Sequence, residues 1–350
     1  MSPETAPDYR TTSRRPEWGS LPREVRNWAA AAAGGAVDGV RPVGGGFTHG
    51  FAAVLDGPRP VFLKAGRVDD PVTGPGYARE ARVLEALPEG LPVPRLLDAA
   101  LVQTDAGPWQ LLATRPIPGH MPGHPWTTGA AAAVHAACLA QNEGLAADTG
   151  LPARLGLEPM AAQWSTGAGG AELGRAARTW LDPAARPAFL PAWFAADDAA
   201  GALVELLDRV GDALAGSTPL NNDLRADNVV LASASVDGHP AGTAWVCDWN
   251  WLSTGPAWAD WAAVLPYLHH AGLDVAAMAE WELLAGADPD DVDAWLALLT
   301  VYYAESGAQP EVPTSPVLRR HARFSAAATL GLLAARRGWH GRSVPGVSGH

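Results

Sequence analysis

The pattern that most restricts what this chain can fold into lies in residues 220–231, which read LNNDLRADNVVL. Asp223 and Asn228 stand five residues apart in a polar loop that leads directly into an apolar strand predicted at residues 229–231. A carboxylate in such a loop can orient or deprotonate a hydroxyl group, and the amide oxygen of an Asn can bind Mg²⁺. A simple turn rich in Asp and Asn has the same composition, so the loop alone leaves both interpretations open.

A second short apolar strand begins at residue 244 and ends on Asp248. The residues between the two strands contain Asp-Gly and His-Pro, which favour a hairpin loop. Antiparallel pairing would place the beginning of one strand beside the end of the other, about 5 Å away. We therefore expect Asn228 and Asp248 to face a common point, where their oxygen atoms would suit Mg²⁺.

Lys64 is the only lysine among the 25 basic residues of the chain. In a chain that otherwise uses Arg, a lone lysine indicates a position at which an ammonium and a guanidinium are not interchangeable, although chance could also put one lysine there. Lys64 ends the third strand of a predicted series that runs strand, glycine-rich loop, strand, turn, strand.

The glycine-rich loop reads GGGFTHG over residues 44–50. Glycines allow backbone N–H groups to approach phosphate oxygens closely, and Lys64 could reach the same phosphates. We predict that Gly45, Gly46, Thr48 and His49 belong to a phosphate-binding loop, with an ordinary hairpin as the alternative.

An amphipathic helix is predicted at residues 77–87. It carries Glu80 and Glu85, which are the two candidates for pairing with Lys64. Either one could instead belong to the solvated face of a surface helix.

Composition excludes several classes of protein. The formal net charge of -12 disfavours nucleic-acid binding and would suit a small cationic substrate. Cys138 and Cys247 are far apart and predict neither a disulfide framework nor a zinc site, which fits a reducing cytoplasm. Neither a signal peptide nor an apolar run of ~20 residues is evident. We expect a cytoplasmic protein without nucleic-acid or membrane partners, and its oligomeric state stays open.

These residues together resemble the aminoglycoside phosphotransferase family, a small-molecule branch of the protein-kinase-like fold. The sequence DLRADN at residues 223–228 is similar to the family's catalytic loop HGDLxxxN, and CDW at residues 247–249 is similar to its metal-binding IDW or IDF segment. Residues 255–261 resemble the GxxxxDL/W that follows. VFLK at residues 61–64 and REA at residues 79–81 resemble the family's lysine strand and helix.

The resemblance implies an α+β fold of two lobes. The N-lobe would be a small, five-stranded antiparallel β-sheet with one key helix, and the C-lobe would be larger and mainly helical. ATP or GTP would bind between the lobes, with its base against the backbone around Ala113 and Arg115. On this basis we expect a disordered tail at residues 1–20, the nucleotide-binding N-lobe at 21–114, the C-lobe at 115–338 and a flexible tail at 339–350.

The same resemblance assigns roles to individual residues. Asp223 would be the catalytic base, Asn228 and Asp248 would bind Mg²⁺, and Lys64 would contact the nucleotide phosphates. Glu80 is preferred to Glu85 as the partner of Lys64 because its position in the helix matches the family. Asp260 would support the catalytic loop from the helix beneath it, and Arg225 could contact phosphate or form a local ion pair.

The chain departs from the family pattern at Asn221 and Asn222, where the family usually has His and Gly. Asn221 could form hydrogen bonds in place of the His, whereas Asn222 adds a side chain beside the base. The carboxylate and both metal ligands are retained, so we expect a working enzyme.

Three functions fit the sequence. The first is a kinase that phosphorylates a hydroxyl group of an aminoglycoside-like, nucleoside or other antibiotic or sugar-containing acceptor. Its pocket would be built by residues 152–191, which are rich in Gly and Pro and expected to be irregular, and by the C-terminal helices. The second is a metabolic kinase of choline, homoserine or ketosamine type. The third is a catalytically silent nucleotide-binding module. The sequence does not distinguish ATP from GTP or identify the acceptor.

Overall fold

The structure is a computed structural model that describes residues 6–123, 125–191, 193–196 and 199–339. It has a small N-terminal lobe built on one β-sheet and a larger lobe made mostly of helices. This arrangement confirms the predicted α+β fold class.

The N-lobe sheet has five antiparallel strands in the order β1-β2-β3-β5-β4. These strands are β1 (Gly39–Pro42), β2 (Phe51–Asp56), β3 (Val61–Arg67), β4 (Leu96–Val102) and β5 (Trp109–Thr114). Alternate residues of a strand point to opposite faces, so Leu63 and Ala65 of β3 enter the N-lobe core while Lys64 points to the other face. Because side chains alternate between the two faces along β3, Lys64 points toward the second lobe.

Two helices complete the N-lobe. Helix α1 (Arg23–Ala32) covers one face of the sheet with buried residues such as Val25 and Ala29. Helix α2 (Thr73–Ala86) lies on the other side, where Ala81 and Leu84 belong to the core of the C-lobe. Because α2 packs into the second lobe, a side chain on it can reach residues of both.

Five short strands form two small sheets in the C-lobe, and they hold the polar loop identified in the sequence. They are β6 (Gly119–His120), β7 (Thr218–Leu220), β8 (Val229–Ala232), β9 (Ala244–Val246) and β10 (Ser253–Gly255). Strands β8 and β9 are antiparallel, with Val229 opposite Val246. The predicted hairpin is thus confirmed, and the N–H of Cys247 donates to the carbonyl of Asn228 at 2.8 Å.

Helices form the rest of the C-lobe. They are α3 (Thr128–Ala146), α4 (Leu151–Leu155), α5 (Ala168–Thr179), α6 (Trp193–Ala196), α7 (Ala199–Asp208), α8 (Val210–Ala213), α9 (Ala259–His270), α10 (Val275–Met278), α11 (Glu282–Ala285), α12 (Pro289–Ala308) and α13 (Leu318–Arg337). The two longest, α12 and α13, pack against each other. Among the described residues, no helix has the length and apolar character needed to cross a bilayer.

Two segments differ from the sequence-based expectation. Residues 6–20, expected to be disordered, contain two 3₁₀ turns, and Tyr9 is buried against the C-lobe. Residues 152–191, expected to be irregular, contain the twelve-residue helix α5. Both are held by contacts with distant parts of the chain, which local sequence patterns do not reveal.

Candidate active site

Lys64 lies at the boundary between the lobes and contacts two carboxylates. Its Nζ donates to Oε2 of Glu80 at 2.7 Å, to Oε1 of Glu80 at 2.9 Å and to Oδ1 of Asp248 at 2.7 Å. The side chain is only 13% exposed. The structure therefore brings together three residues that sequence reasoning had placed in one site, and it pairs Lys64 with Glu80.

Helix α2 is fixed against the second lobe at the point where it carries Glu80. Arg79 donates a hydrogen bond from Nη2 to the carbonyl of Leu252 at 3.1 Å, just beyond the Asp248 segment. Asp248 has a positive φ of 63°, a left-handed conformation that Asp tolerates better than most residues. This backbone turn occurs between β9 and the 3₁₀ turn Trp249–Trp251.

Asp223 and Asn228 are in direct contact across the polar loop. The amide group of Asn228 donates from Nδ2 to the carbonyl of Asp223 at 2.8 Å and to its Oδ2 at 3.0 Å. Arg225 forms an ion pair with Asp223 and a second one with Asp227, whose Oδ1 lies 3.1 Å from Nε. Since Nδ2 of Asn228 faces Asp223, its Oδ1 is the atom that could bind a cation.

The residues that replace the usual His and Gly hold this loop in place. Asn221 accepts from the N–H of Asp223 at 3.1 Å and donates to the carbonyl of Asp248 at 3.3 Å, so it links the two candidate functional segments. Asn222 has a φ of 60° and donates to Gln163 and Ser253, each at 3.1 Å. The left-handed conformation explains why Gly or Asn suits position 222.

Asp260 supports the loop from below, as the resemblance implied. Its two oxygens accept from the N–H groups of Asn221 at 2.8 Å and Asn222 at 2.9 Å. Burial raises the pKa of Asp260 to about 6, and these two hydrogen bonds oppose the increase. Asp260 as a whole residue is 7% exposed, and it lies at the beginning of α9.

Charges in the cleft shift the pKa values of its main residues in different directions. Burial raises the pKa of Asp223 to about 7, against the lowering effect of Arg225 and with reinforcement by Asp248. Burial favours a lower pKa for Lys64, but the carboxylates of Asp248 and Glu80 outweigh it, so the pKa is raised. Although burial acts in the opposite direction, Lys64 lowers the pKa of Asp248. Lys64 is therefore a permanent cation, and Asp223 changes charge near neutral pH.

The glycine-rich loop connects β1 and β2 and lies over the polar loop. A Cβ on Gly45 would be 3.7 Å from the carbonyl of Asp227. Gly46 has a φ of 77°, and a Cβ on Gly50 would lie 2.5 Å from the hydroxyl of Tyr77, so both positions need glycine. The predicted loop residues Gly45 and Gly46 thus lie close to the candidate site.

Two other predicted residues of this loop have partners within the N-lobe. Nε2 of His49 is 2.6 Å from Oδ2 of Asp70, and Oγ1 of Thr48 is 3.5 Å from the hydroxyl of Tyr77. These contacts fix the loop against the beginning of α2. They favour a positioning role for Thr48 and His49 over direct contact with phosphate.

The backbone at Ala113 and Arg115, predicted to lie against the nucleotide base, has partners within the N-lobe. Ala113 is fully buried in β5, between Leu63 of β3 and Asp98 of β4, so its backbone is committed to the sheet. The N–H of Arg115 donates to the carbonyl of Arg95 at 2.9 Å, and its side chain pairs with Asp237. Beyond Arg115, the first residue with a backbone N–H is Ile117, because Pro116 and Pro118 on either side of it have none.

Sequence reasoning missed residues that contact the site from distant segments. Gln163 accepts from Asn222, and the ring of Trp164 lies 5.7 Å from that of Tyr302 in an edge-on arrangement. The charge of Asp223 contributes to a raised pKa of Tyr302, which burial mainly causes. Gln163 thus contacts the polar loop and Tyr302 lies near Asp223, and only the tertiary fold reveals them.

Asn228 and Asp248 fit the requirements of a magnesium ion. Both offer hard oxygen ligands at the adjoining ends of β8 and β9, and Mg²⁺ commonly takes one or two protein ligands together with phosphate and water. Within the described ranges, no cluster of three or more His, Cys, Asp or Glu side chains is arranged to hold a metal. The donor set therefore fits a metal that binds together with a nucleotide.

Comparison with solved structures identifies the fold. Spectinomycin phosphotransferase APH(9)-Ia, in complex with ADP and spectinomycin, matches with a TM-score of 0.57 and 12% identity over 91% of this chain and 98% of that one. The GDP complex of aminoglycoside 2'-phosphotransferase-IIIa matches with a TM-score of 0.55 and 12% identity over 90% and 99%. A mutant of APH(4)-Ia with ADP and hygromycin B matches with a TM-score of 0.52 and 13% identity over 91% and 100%.

No protein-family model matches the sequence, and no curated protein matches it either. The structural matches extend over about nine-tenths of this chain. The chain therefore has the kinase-like fold of the aminoglycoside phosphotransferases, and the resemblance drawn from its motifs is confirmed at the level of the fold.

Proposed function

We propose that this protein is a magnesium-dependent kinase that transfers the γ-phosphoryl group of ATP or GTP to a hydroxyl group of a small molecule. The observation that carries this proposal is the contact of one ammonium, on Lys64, with Glu80 of the N-lobe and Asp248 of the C-lobe. Beside it, Asp223 and Asn228 are hydrogen-bonded to each other. Phosphoryl transfer requires such a combination of cation, metal ligands and base in one cleft.

Each residue has a chemical role in this reaction. Asp223 orients the acceptor hydroxyl and takes its proton as the oxygen forms a bond to the γ-phosphorus. The bond from that phosphorus to the β–γ bridging oxygen breaks, and the nucleoside diphosphate leaves. Lys64 binds phosphate oxygens, and Glu80 holds Lys64 in place. Asn228 and Asp248 would hold Mg²⁺, which when bound neutralises charge on the phosphate oxygens. Most of the rate enhancement would come from positioning and charge neutralisation.

The structural neighbours support a nucleotide donor and a small acceptor. Their complexes contain GDP or ADP, and two of them contain spectinomycin or hygromycin B. In this chain, Gln163 contacts the polar loop through Asn222 and Trp164 packs against Tyr302, so these residues would offer an amide and two aromatic rings to an acceptor. A cavity of about 260 Å³ opens beside Trp164 between α5 and α8 and gives further space in the same lobe.

The experiment that tests this function is mass spectrometry of candidate acceptors after incubation with the protein, MgCl₂ and ATP or GTP. The panel contains aminoglycosides, nucleoside antibiotics, macrolides and metabolic alcohols such as choline and homoserine. Gain of one phosphoryl group by one chemical class supports the proposal and identifies the acceptor. If no acceptor gains a phosphoryl group and the protein binds neither nucleotide, the proposal is wrong.

A further inference from the structure

The segment that precedes the N-lobe lies across the glycine-rich loop. Thr12 donates from its backbone N–H to the carbonyl of Gly44 at 3.3 Å, and its hydroxyl also donates to that carbonyl at 2.5 Å. A Cβ on Gly44 would lie only 1.7 Å from the carbonyl oxygen of Arg10, so this approach requires glycine. The beginning of the chain is thus built into the candidate phosphate-binding loop.

Arg15 spans the loop from one end to the other. Its Nη1 donates to the carbonyl of Gly50 at 2.9 Å, and its Nη2 donates to the carbonyl of Gly45 at 2.6 Å. These bonds use the carbonyl side of the loop and leave its N–H groups for another partner. They also hold a positive charge against the loop that is predicted to bind phosphates.

Arg15 is close to the other charged residues of the site. Burial lowers the pKa of Arg15, and the charges of Tyr77 and Asp248 oppose that shift. Burial is the largest influence on the pKa of Asp248 and raises it, whereas Lys64, Arg225 and Arg15, in decreasing order, lower it. The ammonium of Lys64 lies 5.7 Å from the centre of the Tyr77 ring. Arg15 and Lys64 therefore both interact with Asp248 and with Tyr77.

The guanidinium of Arg15 has unused capacity for an anion. Its Nε is shielded from solvent and has no hydrogen-bond partner within the part of the chain that the structure describes. Within those same residues, Arg15 pairs with no carboxylate, unlike Arg225 and Arg115. A partly buried guanidinium that contacts carbonyl groups and a tyrosine but no carboxylate keeps its full charge, which a phosphate group could neutralise.

The charge balance of the cleft indicates why a further cation is needed. Lys64 and Arg225 are each in contact with two carboxylates. These four carboxylates belong to Glu80, Asp248, Asp223 and Asp227. A nucleoside triphosphate brings more negative charge into this cleft. Its phosphates and the carboxylates repel each other strongly, because the site is partly buried. A cation without a carboxylate partner would offset part of that repulsion.

We propose that Arg15 is a second phosphate-binding cation, which the N-terminal segment delivers to the donor nucleotide and which acts together with Lys64. This inference rests on the proposed function. It assigns a nucleotide-binding role to the N-terminal segment, which lies outside the sequence motifs recognised in the two lobes.

The test is a calorimetric measurement of ATP, GTP and adenosine binding in the presence of MgCl₂ by the wild type and three variants. Arg15→Gln removes the charge, Arg15→Lys restores it, and Arg14→Gln changes the exposed neighbouring arginine as a matched control. We expect Arg15→Gln to weaken triphosphate binding about tenfold or more and adenosine binding less than about twofold, because only the phosphates face the guanidinium. Arg15→Lys should recover part of the loss, and Arg14→Gln should bind like the wild type. Thermal unfolding of each variant verifies that it is folded.

Other outcomes overturn the inference in distinguishable ways. Equal triphosphate binding by Arg15→Gln and the wild type would mean that Arg15 does not contact phosphate. An equal loss for triphosphate and adenosine would mean that it only supports the loop. Tighter triphosphate binding by Arg15→Gln would mean that the N-terminal segment inhibits nucleotide binding. A wild type that binds no nucleotide would contradict the proposed function itself.

Discussion

Nζ of Lys64 lies 2.7 Å from Oδ1 of Asp248, although the two residues are 184 positions apart in the sequence. The first belongs to the β-sheet of the N-lobe and the second follows the hairpin of the C-lobe. Because Glu80 contacts the same ammonium, one cation connects a strand, a helix and the segment that would bind a metal. The relative position of the lobes and the geometry of the cleft are therefore coupled through Lys64.

Replacing Lys64 by Met should destabilise the protein by about 3 kcal/mol, because the buried Glu80 loses its counter-charge. The double variant Lys64→Met, Glu80→Gln should be more stable than the single one, since it also removes the charge that the single variant leaves unpaired on Glu80. Urea unfolding at pH 7.5 measures both differences. The assigned pairing would be contradicted if Lys64→Met and the double variant had the same free energy of unfolding.

Asn222 should tolerate Gly but not Ala. Its φ of 60° costs an Ala residue about 1–2 kcal/mol, whereas Gly adopts it freely. Both changes remove the hydrogen bonds to Gln163 and Ser253, so the difference between them isolates the backbone conformation. We expect Asn222→Gly to be more stable than Asn222→Ala in urea unfolding. The reverse order would mean that the backbone at this position is not left-handed in solution.

His321 should make stability depend on pH below about 6.5. Its Nδ1 lies 2.8 Å from the hydroxyl of Tyr9, and burial together with the charge of Arg225 lowers its pKa to about 3. The unfolded chain then binds a proton that the folded chain does not, so the contribution is fully present above pH 6.5 and decreases as pH falls toward 3. At pH 5 the loss should be about 2 kcal/mol relative to pH 7.5.

The matched variant for this prediction is His321→Asn, which does not titrate and keeps an acceptor for Tyr9. Urea unfolding at pH 5.0 and 7.5 compares its pH dependence with that of the wild type. We expect the wild type to lose more stability than the variant between the two pH values. Equal losses would show that the side chain of His321 is not buried as a neutral group.

The sequence predicted the parts of the fold that depend on local patterns. The hairpin after Asn228, the amphipathic helix with Glu80 and the strand with Lys64 follow from strand and helix periodicity, and all three are present. Their mutual contacts, which join residues far apart in the chain, could be inferred only through the resemblance to a family. The roles assigned to the individual residues stay predictions.

What the sequence did not reveal depends on tertiary contacts. Residues 6–20 are polar and without periodicity, yet Tyr9 is held by His321 across 312 positions and Arg15 by the glycine-rich loop. The extent and pairing of β5, which engage the backbone of Ala113, also cannot be seen in its residues, and base binding at this position stays a prediction. The sequence around Ala113 does not indicate whether this residue lies in the middle of a sheet or at its edge.

The most direct test of the proposed function compares the wild type with Asp223→Asn in a phosphoryl-transfer assay, using the acceptor identified by mass spectrometry. We expect Asp223→Asn to transfer phosphoryl groups at least ~100-fold more slowly while binding nucleotide within about threefold of the wild type, because the base acts on the acceptor and not on the donor. Asp290→Asn, which changes an exposed carboxylate paired with Arg337, should keep full activity. Equal transfer rates for Asp223→Asn and the wild type would contradict the assignment of the base and, with it, the proposed mechanism.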